Sequence, residues 1–387
     1  MPDRRALIAR RRRNLLAGAL AAFAAGILVG GLSGGGDAEP RRDTAGAIAP
    51  SAGPPDAEAT AAVDRLTLRQ QVGQLIVLRF SGTVAPEYVG DVLRERRAAG
   101  VILFRDNVAA PAQLRGLTRG LRRAGGRPVV AVDQEGGEIR IVPWAPPAAS
   151  APAQSAAGSV RADAEAAGTA LRKAGITVSL APVGDVPTVD GAALAGRAFS
   201  PDAAAASDAM AAAVAGWRAG GVAATAKHFP GLGGATVNTD DGPATVTRST
   251  AQLEAADLPP FAAAIRAGVP LVMIGHARYP ALDRDHIASQ SPAIIQRLLR
   301  GRLRFRGVVV TDSMEAQASL ATGDIATASE RAVRAGADLL LLTGQGSYAP
   351  VYRHLLALAE RSPAFRTRVR EAAARVLALK AGGGPAG

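Results

Sequence analysis

The sequence predicts an α/β fold of the (β/α)8 class, a closed TIM barrel formed by a single domain. Seven times, a basic residue and a short Ala/Gly linker lead into an apolar run that ends at a polar group. A helix that ends on Arg or Lys places positive charge near its negative C-terminal dipole, and the glycine that follows can adopt a left-handed cap. The apolar runs are too uniform for half-exposed strands and are typical of strands buried on both faces. Buried strands that alternate with helices form parallel βα units.

The eight predicted strands follow one another along the chain. The first, QLIVLRF (74–80), has no basic junction before it, and the other seven are VILF (101–104), RPVVAV (127–132), ITVSLAPV (176–183), VAATA (222–226), VPLVMIG (269–275), VVVT (308–311) and ADLLLLT (337–343). Eight strand–helix units are the number that closes this class of barrel, and closure brings the carboxyl ends of all the strands to one mouth.

The composition narrows the classes of function. The formal net charge is +12, and the only lysines are Lys173, Lys227 and Lys380, so Arg is the default cation of this chain. No aromatic-interleaved basic patch accompanies the charge, and we expect no nucleic-acid partner. The chain has no cysteine, which excludes disulfides and thiolate catalysis. The four histidines lack metal-binding spacing, so the sequence predicts neither a metal site nor another cofactor.

The N-terminal region predicts a location outside the cytoplasm. Residues 1–33 combine an arginine cluster with an apolar run from Leu15 to about Leu32, the order found in a signal peptide or membrane anchor. An uncleaved anchor is slightly favoured, because no clear small-x-small cleavage site follows the run. Residues 34–62 are rich in Ala, Pro and Gly and predict a flexible linker. We therefore expect the barrel to span 63–383 and to be membrane-anchored or secreted.

Polar residues end nearly every predicted strand. They are Arg105 and Asp106, then Asp133, Gln134 and Glu135, and further along the chain Asp185, Lys227, His228, His276, Asp312 and Thr343. Polar loops would account for one or two such residues, but less easily for this concentration of carboxylates, Lys and His. The pattern predicts a polar site at the mouth of the barrel.

Three strand ends form distinctive segments. KHFPGLGG (227–234) offers hydrogen-bond donors on a turn that can approach a ligand closely, although a structural His in a Gly-rich turn has the same pattern. Its glycine spacing disfavours a phosphate-binding loop. VVVTDSM (308–314) holds Asp312, either as a nucleophile, base or metal ligand or as the cap of the next helix. VAVDQEGG (130–137) places two acids beside a glycine pair, which suits a ligand rich in hydroxyl groups.

Together these segments resemble family 3 glycoside hydrolases, specifically the single-domain branch that contains the bacterial β-N-acetylglucosaminidases. Supporting stretches between about Leu66 and Lys380 are AAGVILFRDNV, LAPVGDV, GRAF, GHARYPALD and RAGADLLLLT. The resemblance implies retaining hydrolysis of β-linked sugars, with β-N-acetylglucosaminides of the cell envelope as the substrate class. It also implies that Asp312 is the nucleophile, and that the residues holding the sugar in the −1 subsite are Asp133, Arg197, Lys227 and His228.

The catalytic acid departs from the family pattern. Retaining hydrolysis needs a nucleophile and an acid that later acts as a base. In the single-domain branch this acid is the His of an Asp-x-His pair after KHFPG, but here Asn238 stands at the Asp position and Asp240 at the His position. Glu138 also replaces the Arg that commonly follows DQEGG. We expect Asp240, or less favourably Asp241, to protonate the leaving oxygen as a carboxylic acid.

Three interpretations of the function follow. The first is a retaining glycosidase that uses Asp312 and Asp240. The second is a catalytically impaired sugar-binding module that has lost the acid/base dyad, although retention of Asp312 favours an enzyme. The third is a transglycosylase, which the sequence does not separate from a hydrolase. All three have a carbohydrate ligand, and the sequence does not indicate an oligomeric state.

Overall fold

The computed structural model describes residues 57–382, and eight parallel strands form a closed barrel at their centre. These strands are β1 (Ile76–Arg79), β2 (Gly100–Ile102), β3 (Val129–Val132), β4 (Val178–Ser179), β5 (Ala223–Phe229), β6 (Leu271–Ile274), β7 (Val308–Ser313) and β8 (Leu339–Leu342). Each strand pairs with its neighbours in chain order, and β8 closes the barrel against β1 with Ile76 opposite Leu340. All eight predicted strands are present, which confirms the predicted fold class.

Helices surround the strands. The α-helices are Ala57–Asp64, Leu68–Gly73, Glu87–Arg94, Pro111–Gly125, Ala151–Ala156, Val160–Lys173, Ala203–Gly220, Thr250–Gln252, Leu258–Arg266, Gln317–Leu320, Ile325–Ala335, Tyr348–Arg361 and Pro363–Gly382. Leu253–Asp257 and Ala293–Arg302 are π-helical, and 3-10 turns cover Arg105–Asn107, Ala195–Arg197 and Ala288–Gln290. Two hairpins that the strand pattern did not predict lie outside the barrel; they pair Gln134–Gly136 with Ile139–Arg140 and Arg278–Tyr279 with Asp283–Ile287.

The strands are buried on both faces, as their uniform polarity predicts. In β7, Val308 and Val310 belong to the cluster inside the barrel, while Val309 packs in the layer between the strands and the helices. Val376 of the C-terminal helix (Pro363–Gly382) joins the inner cluster and helps to close the amino-terminal end of the barrel. The polar mouth at the opposite end therefore stands on a continuous apolar interior.

The junction glycines serve two different purposes. Five of them have a positive φ, as a left-handed or similar cap requires: Gly126, Gly175, Gly221, Gly268 and Gly336. Gly100 and Gly307 have no such φ. A Cβ on Gly100 would lie 1.9 Å from the carbonyl oxygen of Val129 on the adjacent strand, and one on Gly307 would lie 2.3 Å from that of Pro270. At these two junctions glycine is needed for close backbone approach, so the sequence-based expectation of a cap is wrong there.

The predicted membrane segment lies outside the described residues. Within 57–382, no helix is both long and apolar enough to cross a bilayer. The first described helix, Ala57–Asp64, packs beside the C-terminal helix, where Asp64 accepts two hydrogen bonds from Arg370 at 2.6 and 2.7 Å. The chain is therefore already helical within the last residues of the predicted linker.

A buried carboxylate joins the amino-terminal end of β8 to two helices. Asp338, just before β8, is fully buried and accepts hydrogen bonds from Arg300, Arg368 and Arg375, and from Val309 N at 3.0 Å. Burial alone would raise the pKa of Asp338, but the three guanidinium groups outweigh that effect and lower it. The ionised Asp338 therefore neutralises positive charge that would otherwise be buried without a counterion.

We predict that Asp338→Asn lowers the free energy of unfolding by about 3–5 kcal/mol, because it leaves buried guanidinium groups without their shared carboxylate. Urea denaturation of both proteins measures the difference. The control is Asp64→Asn, which breaks a solvent-exposed pair with Arg370 and should shift the midpoint little. Equal effects of the two substitutions would contradict a special role for Asp338.

Candidate active site

A pocket of about 410 Å³ opens at the carboxyl ends of the barrel strands. Its lining includes all six site residues proposed from the sequence: Asp133, Arg197, Lys227, His228, Asp240 and Asp312. They come from strands β5 and β7, from the position directly after β3 and from the loops after β4 and β5. Residues separated by up to 179 positions in the chain, 133 to 312, thus face one space because the barrel closes.

Lys227 lies at the centre of a buried ionic network. It is only 2% exposed, and its Nζ lies 2.6 Å from Asp133 Oδ1 and 2.6 Å from Glu135 Oε1. Glu135 also accepts a bidentate pair from Arg197, with Nε at 2.8 Å and Nη2 at 2.7 Å. Burial alone would lower the pKa of Lys227, but Asp133 and Glu135 outweigh burial and raise it. The ammonium group therefore stays charged inside the protein.

Glu135 is the counterpart of that ammonium. Burial alone would raise its pKa, but Lys227 and Arg197 outweigh burial and lower the pKa of Glu135 to about 2. The network leaves Asp133 and Arg197 partly exposed on the pocket side, with side chains 22% and 26% accessible. A fixed array of charged donors and acceptors at a pocket wall can bind neighbouring sugar hydroxyls.

His228 is oriented by a buried carboxylate. Its Nδ1 lies 2.7 Å from Asp185 Oδ2, and its backbone N–H donates to Asp185 Oδ1 at 3.3 Å. The same Oδ1 accepts the N–H of Leu232 at 2.7 Å, so one side chain fixes both the imidazole and the turn that follows β5. With Nδ1 held by Asp185, Nε2 is the nitrogen available to a ligand.

Asp312 lies near the end of β7. Its Oδ1 accepts the N–H of Ser313 at 2.8 Å, and His276 Nε2 contacts the Ser313 carbonyl at 2.8 Å. Burial alone would raise the pKa of Asp312, but His228, His276, the Ser313 N–H and Lys227 together lower it. Asp312 therefore favours the ionised form, beside two imidazoles, a backbone N–H and the ammonium of Lys227, as a nucleophile requires.

Asp240 lies on the loop after β5, at the mouth of the pocket. Its backbone carbonyl accepts the N–H of Gln317 at 3.3 Å, and that of Thr239 accepts the N–H of Ala318 at 3.1 Å. Asn238 adds a turn inside the loop, since its Oδ1 accepts the Asp240 N–H at 3.2 Å. These bonds hold the loop against the start of the helix Gln317–Leu320.

The protonation of Asp240 differs from that of Asp312. The surrounding protein partly desolvates Asp240, which raises its pKa, and the negative charge of Asp312 raises it further. His228 and His276 only partly oppose this shift. The pocket therefore contains one carboxyl group whose pKa is lowered and a second whose pKa is raised. Paired groups with separated pKa values are the usual signature of an acid and its partner in catalysis.

Several residues of the site could not be assigned a role from the sequence. Glu135, Asp185 and His276 were recognised only as strand-end polar groups, because their roles depend on partners distant in the sequence. Arg79 at the end of β1 also lines the pocket, with its guanidinium carbon 4.6 Å from the Phe104 ring centroid. Its pocket position could have been inferred from the polar end of QLIVLRF. In residues 57–382 no three His, Asp or Glu side chains converge as a metal site.

The closed barrel and its carboxylate-lined pocket define a barrel enzyme of the glycosidase class. The chain matches the model of the glycosyl hydrolase family 3 N terminal domain over residues 67–379. It therefore belongs to glycosyl hydrolase family 3, as the sequence resemblance predicted.

Named relatives agree with this assignment. A β-hexosaminidase of Xanthomonas oryzae is 34% identical over 280 residues, which cover 69% of this chain and 83% of the relative. An uncharacterized secreted glycosyl hydrolase of Arthroderma benhamiae is 30% identical over 81% of this chain and 94% of its own length. The crystal structure of β-N-acetylhexosaminidase from Beutenbergia cavernae aligns with a TM-score of 0.76 and 35% identity over 82% of this chain and 99% of that one. For a family 3 β-N-acetylglucosaminidase of a Paenibacillus strain, the TM-score is 0.77 at 33% identity, and the alignment covers 82% of this chain but only 62% of that chain.

Glu135 supplies a test of the ionic network. Its pKa falls from an ordinary 4.5 to about 2 on folding. The ionised form therefore stabilises the fold fully above about pH 4.5, and that stabilisation is lost as the pH falls through about 2. We predict that the wild type loses roughly 3 kcal/mol more unfolding free energy between pH 5 and 2 than Glu135→Gln does.

Urea denaturation across this pH range measures how steeply the free energy of unfolding falls with pH in each protein. Glu254→Gln is the control, because Glu254 makes only an exposed pair with Arg302 and its loss should leave the acid dependence nearly unchanged. If the free energy of unfolding fell equally with pH in the wild type and in Glu135→Gln, Glu135 would not be the group with the low pKa.

Proposed function

We propose that the protein is a retaining β-N-acetylhexosaminidase in which Asp312 is the nucleophile and Asp240 is the acid/base. The observation that carries the proposal is that Asp312 and Asp240 line one pocket, where the pKa of Asp312 is lowered and that of Asp240 is raised. The names of the Xanthomonas and Beutenbergia relatives support N-acetylhexosaminides as substrates.

In the first step the Asp312 carboxylate attacks the anomeric carbon while Asp240 donates its proton to the glycosidic oxygen. A C–O ester bond to the enzyme forms, the glycosidic C–O bond breaks, and the leaving alcohol departs neutral. The raised pKa of Asp240 keeps its proton available for transfer at mildly acidic pH. The lowered pKa of Asp312 keeps the nucleophile ionised under the same conditions.

In the second step Asp240 removes a proton from water, which attacks the same carbon and releases Asp312. The charge of Asp312 explains how one residue can serve both steps. While Asp312 is ionised, it raises the pKa of Asp240, but the glycosyl ester has no charge. Esterification therefore lowers the pKa of Asp240 and converts the acid into a base.

The buried network would hold the sugar in the −1 subsite. Asp133 would accept from hydroxyls, Arg197 and Lys227 would donate to them, and His228 would present its Nε2. All four line the pocket around Asp312. Because Lys227 and Glu135 are already paired, these groups need little rearrangement when the sugar binds, and this preorganisation favours the transition state.

We propose that the enzyme acts outside the cytoplasm, on glycosides of the cell envelope. The arginine cluster and apolar run of residues 1–33 support export or anchoring. The Arthroderma relative, named as secreted, supports the same compartment.

A sugar-binding module is the second candidate function. It is favoured by one departure, the replacement of the family's Asp-x-His pair by Asn238 and Asp240. If Asp240 cannot deliver a proton to a poor leaving group, the same pocket would bind sugar without turning it over. Hydrolysis of an unactivated β-N-acetylglucosaminide by the wild type would exclude this candidate.

We predict that a 2-deoxy-2-fluoro glycoside or another slow fluorinated substrate leaves a glycosyl adduct on Asp312, because the second step is slowed more than the first. Peptide mass spectrometry identifies the modified residue. Asp312→Asn should lose nearly all turnover while its thermal unfolding and sugar binding persist. Full activity in that variant, or an adduct on another residue, would move the nucleophile elsewhere.

We predict that kcat/KM is greatest at mildly acidic pH. It rises as Asp312 ionises, through a pKa below its ordinary value, and falls as Asp240 ionises, through a pKa above its ordinary value. Asp240→Ala should remove the basic limb and reduce hydrolysis of alkyl glycosides by about 100-fold or more, with much less effect on first-step rates of activated aryl glycosides. Added azide should partly restore the second step, since a small nucleophile needs no base.

Asp241→Ala is the matched control, because Asp241 is the neighbouring carboxylate but does not line the pocket. It should keep both the pH profile and the leaving-group dependence of the wild type. If Asp240→Ala also keeps them, another group is the acid.

A further inference from the structure

The basic junctions between helices and strands lie at the end of the barrel opposite the pocket. Each junction precedes a barrel strand, and because the eight strands are parallel, all the junctions gather at the amino-terminal end. Four of them precede the neighbouring strands β3, β4, β5 and β6. We call their exposed cations the basic rim, which consists of Arg122, Arg123, Arg127, Arg172, Lys173, Arg218 and Arg266.

The junctions that carry the rim contact one another directly. In the helix that bears the first rim arginines, Thr118 Oγ1 donates at 2.8 Å to the carbonyl oxygen of Ala174, in the junction before β4. Arg172 of that junction lies against the next one, since a Cβ on Gly221 would be 2.8 Å from its Cδ. Arg218 then donates from Nη1 at 3.0 Å to a backbone carbonyl in the junction before β6. The rim is therefore one continuous surface.

No acid offsets the charge of the rim. The stretches of sequence that contain it have neither Asp nor Glu: 107–132, 166–184, 209–239 and 258–282. In the part of the chain that the structure describes, none of the seven rim cations forms an ion pair with a carboxylate. The segments before β2, β7 and β8 differ, because Arg97, Arg302 and Arg334 each pair there with a Glu. Positive charge is thus left unpaired on one side of this end.

Helix dipoles account for only part of this pattern. A basic residue in the last turn of a helix is stabilised by the C-terminal dipole, but the effect falls off beyond that turn. Arg127 lies past the end of the helix Pro111–Gly125 and belongs to the rim all the same. Unpaired like charges on one surface repel one another, and an anionic partner removes that repulsion. The rim therefore has the electrostatics of a surface that binds a polyanion.

We propose that the basic rim docks the barrel on the anionic phospholipid headgroups of a membrane, so that the pocket faces away from the bilayer. Charge complementarity supports this partner, since basic residues close to an anionic leaflet are attracted to it. The docking surface goes beyond the proposed glycosidase activity, and it rests only on the proposed location at the membrane.

The start of the described chain supports a bilayer as the polyanion. The helix Ala57–Asp64 precedes β1, and Asp64 pairs with Arg370 of the C-terminal helix, which closes the same end of the barrel as the rim. Residues 34–56 join this helix to the predicted apolar anchor. A flexible chain of that length spans about 25–30 Å on average. An anchor in the bilayer would therefore keep the rim close to lipid headgroups.

Site-specific fluorescence tests the orientation. The chain has no cysteine, so one introduced thiol carries the only label. Ala219→Cys labels an exposed position beside Arg218 of the rim, and Ala281→Cys labels an exposed position in the hairpin after β6, at the pocket end. The full-length protein is reconstituted in vesicles whose headgroups carry a nitroxide quencher in both leaflets.

We expect strong quenching of the label at position 219 and little at position 281 in vesicles with about 30% phosphatidylglycerol. The quenching at 219 should be lost in pure phosphatidylcholine, and also in about 1 M salt, where the Debye length is about 3 Å. Equal quenching of the two labels, or quenching at 219 that does not depend on phosphatidylglycerol, would overturn the docking.

A rim variant replaces four of the seven cations by Gln: Arg122, Arg123, Arg127 and Lys173. Because one basic residue near an anionic membrane contributes about fivefold, the docking equilibrium should weaken by about 100-fold or more in a titration of phosphatidylglycerol. The matched control replaces four exposed arginines at the pocket end by Gln: Arg161, Arg278, Arg284 and Arg331. It has the same net charge as the rim variant and should dock like the wild type. An equal loss in both variants would contradict a specific rim.

Vesicle flotation separates the docking from the proposed location. If the protein floats only with phosphatidylglycerol vesicles and the rim variant does not float, the anchor fails and the rim stands. Flotation with neither kind of vesicle overturns the rim as well. An acidic polysaccharide replaces the bilayer as the partner if calorimetry shows that polygalacturonate binds the wild type but not the rim variant, while quenching at 219 is independent of phosphatidylglycerol. Hydrolysis of a soluble glycoside is measured separately, so its absence would not affect the test.

Discussion

The site depends on one buried ammonium group. Lys227 is almost completely removed from water, and an isolated ammonium there would lose several kcal/mol of hydration without compensation. Asp133 and Glu135 neutralise the charge of the ammonium group, and Arg197 in turn forms an ion pair with Glu135. Asp133 and Glu135 come from the segment directly after β3, Arg197 from the loop after β4 and Lys227 from β5. Their charges therefore balance only when those strands are in register. The charged array at the pocket wall is consequently a product of barrel closure, and the buried charges penalise any arrangement that leaves one of them unpaired.

The fold was accessible from the sequence because its main signals are local. A strand buried on both faces must be apolar at every position, and the helix that precedes it ends with a basic residue and a glycine within a few positions. The two hairpins outside the barrel lack such signals, since Ile139–Arg140 and Arg278–Tyr279 are each only two residues long. Gly100 and Gly307 show the limit of the junction pattern. The sequence at these two junctions matches that of the capped junctions. Here, however, glycine is required because a Cβ would clash with the neighbouring strand, which the local sequence does not reveal.

The candidate site was only partly accessible. Residues at strand ends converge in any such barrel, and this placed Asp133, Lys227, His228 and Asp312 together without knowledge of distances. The role of each charged group could not be inferred from its position at a strand end. Glu135 and Asp185 are acids beside strand ends like several others in the chain, and they differ only in the partners that folding supplies. Glu135 meets two cations and becomes a structural anion, whereas Asp185 meets an imidazole and two N–H groups and sets the direction of His228.

The loop after β5 explains how the proposed acid, Asp240, can differ from the family pattern without loss of its position. Thr239 and Asp240 are held through backbone carbonyls bonded to Gln317 and Ala318, and the turn that starts the loop is fixed by Asp185. None of these contacts uses the Asp240 side chain, so a carboxylate can occupy the place of an imidazole on the same backbone. The substitution changes the conditions for catalysis instead. An ordinary Asp is ionised near neutral pH, but partial desolvation and the neighbouring anion of Asp312 raise the pKa of Asp240, and in the proposed mechanism this raised pKa is what suits it to act as the acid. In the proposed mechanism the nucleophile therefore tunes the acid, and Asp312 and Asp240 act as one functional unit.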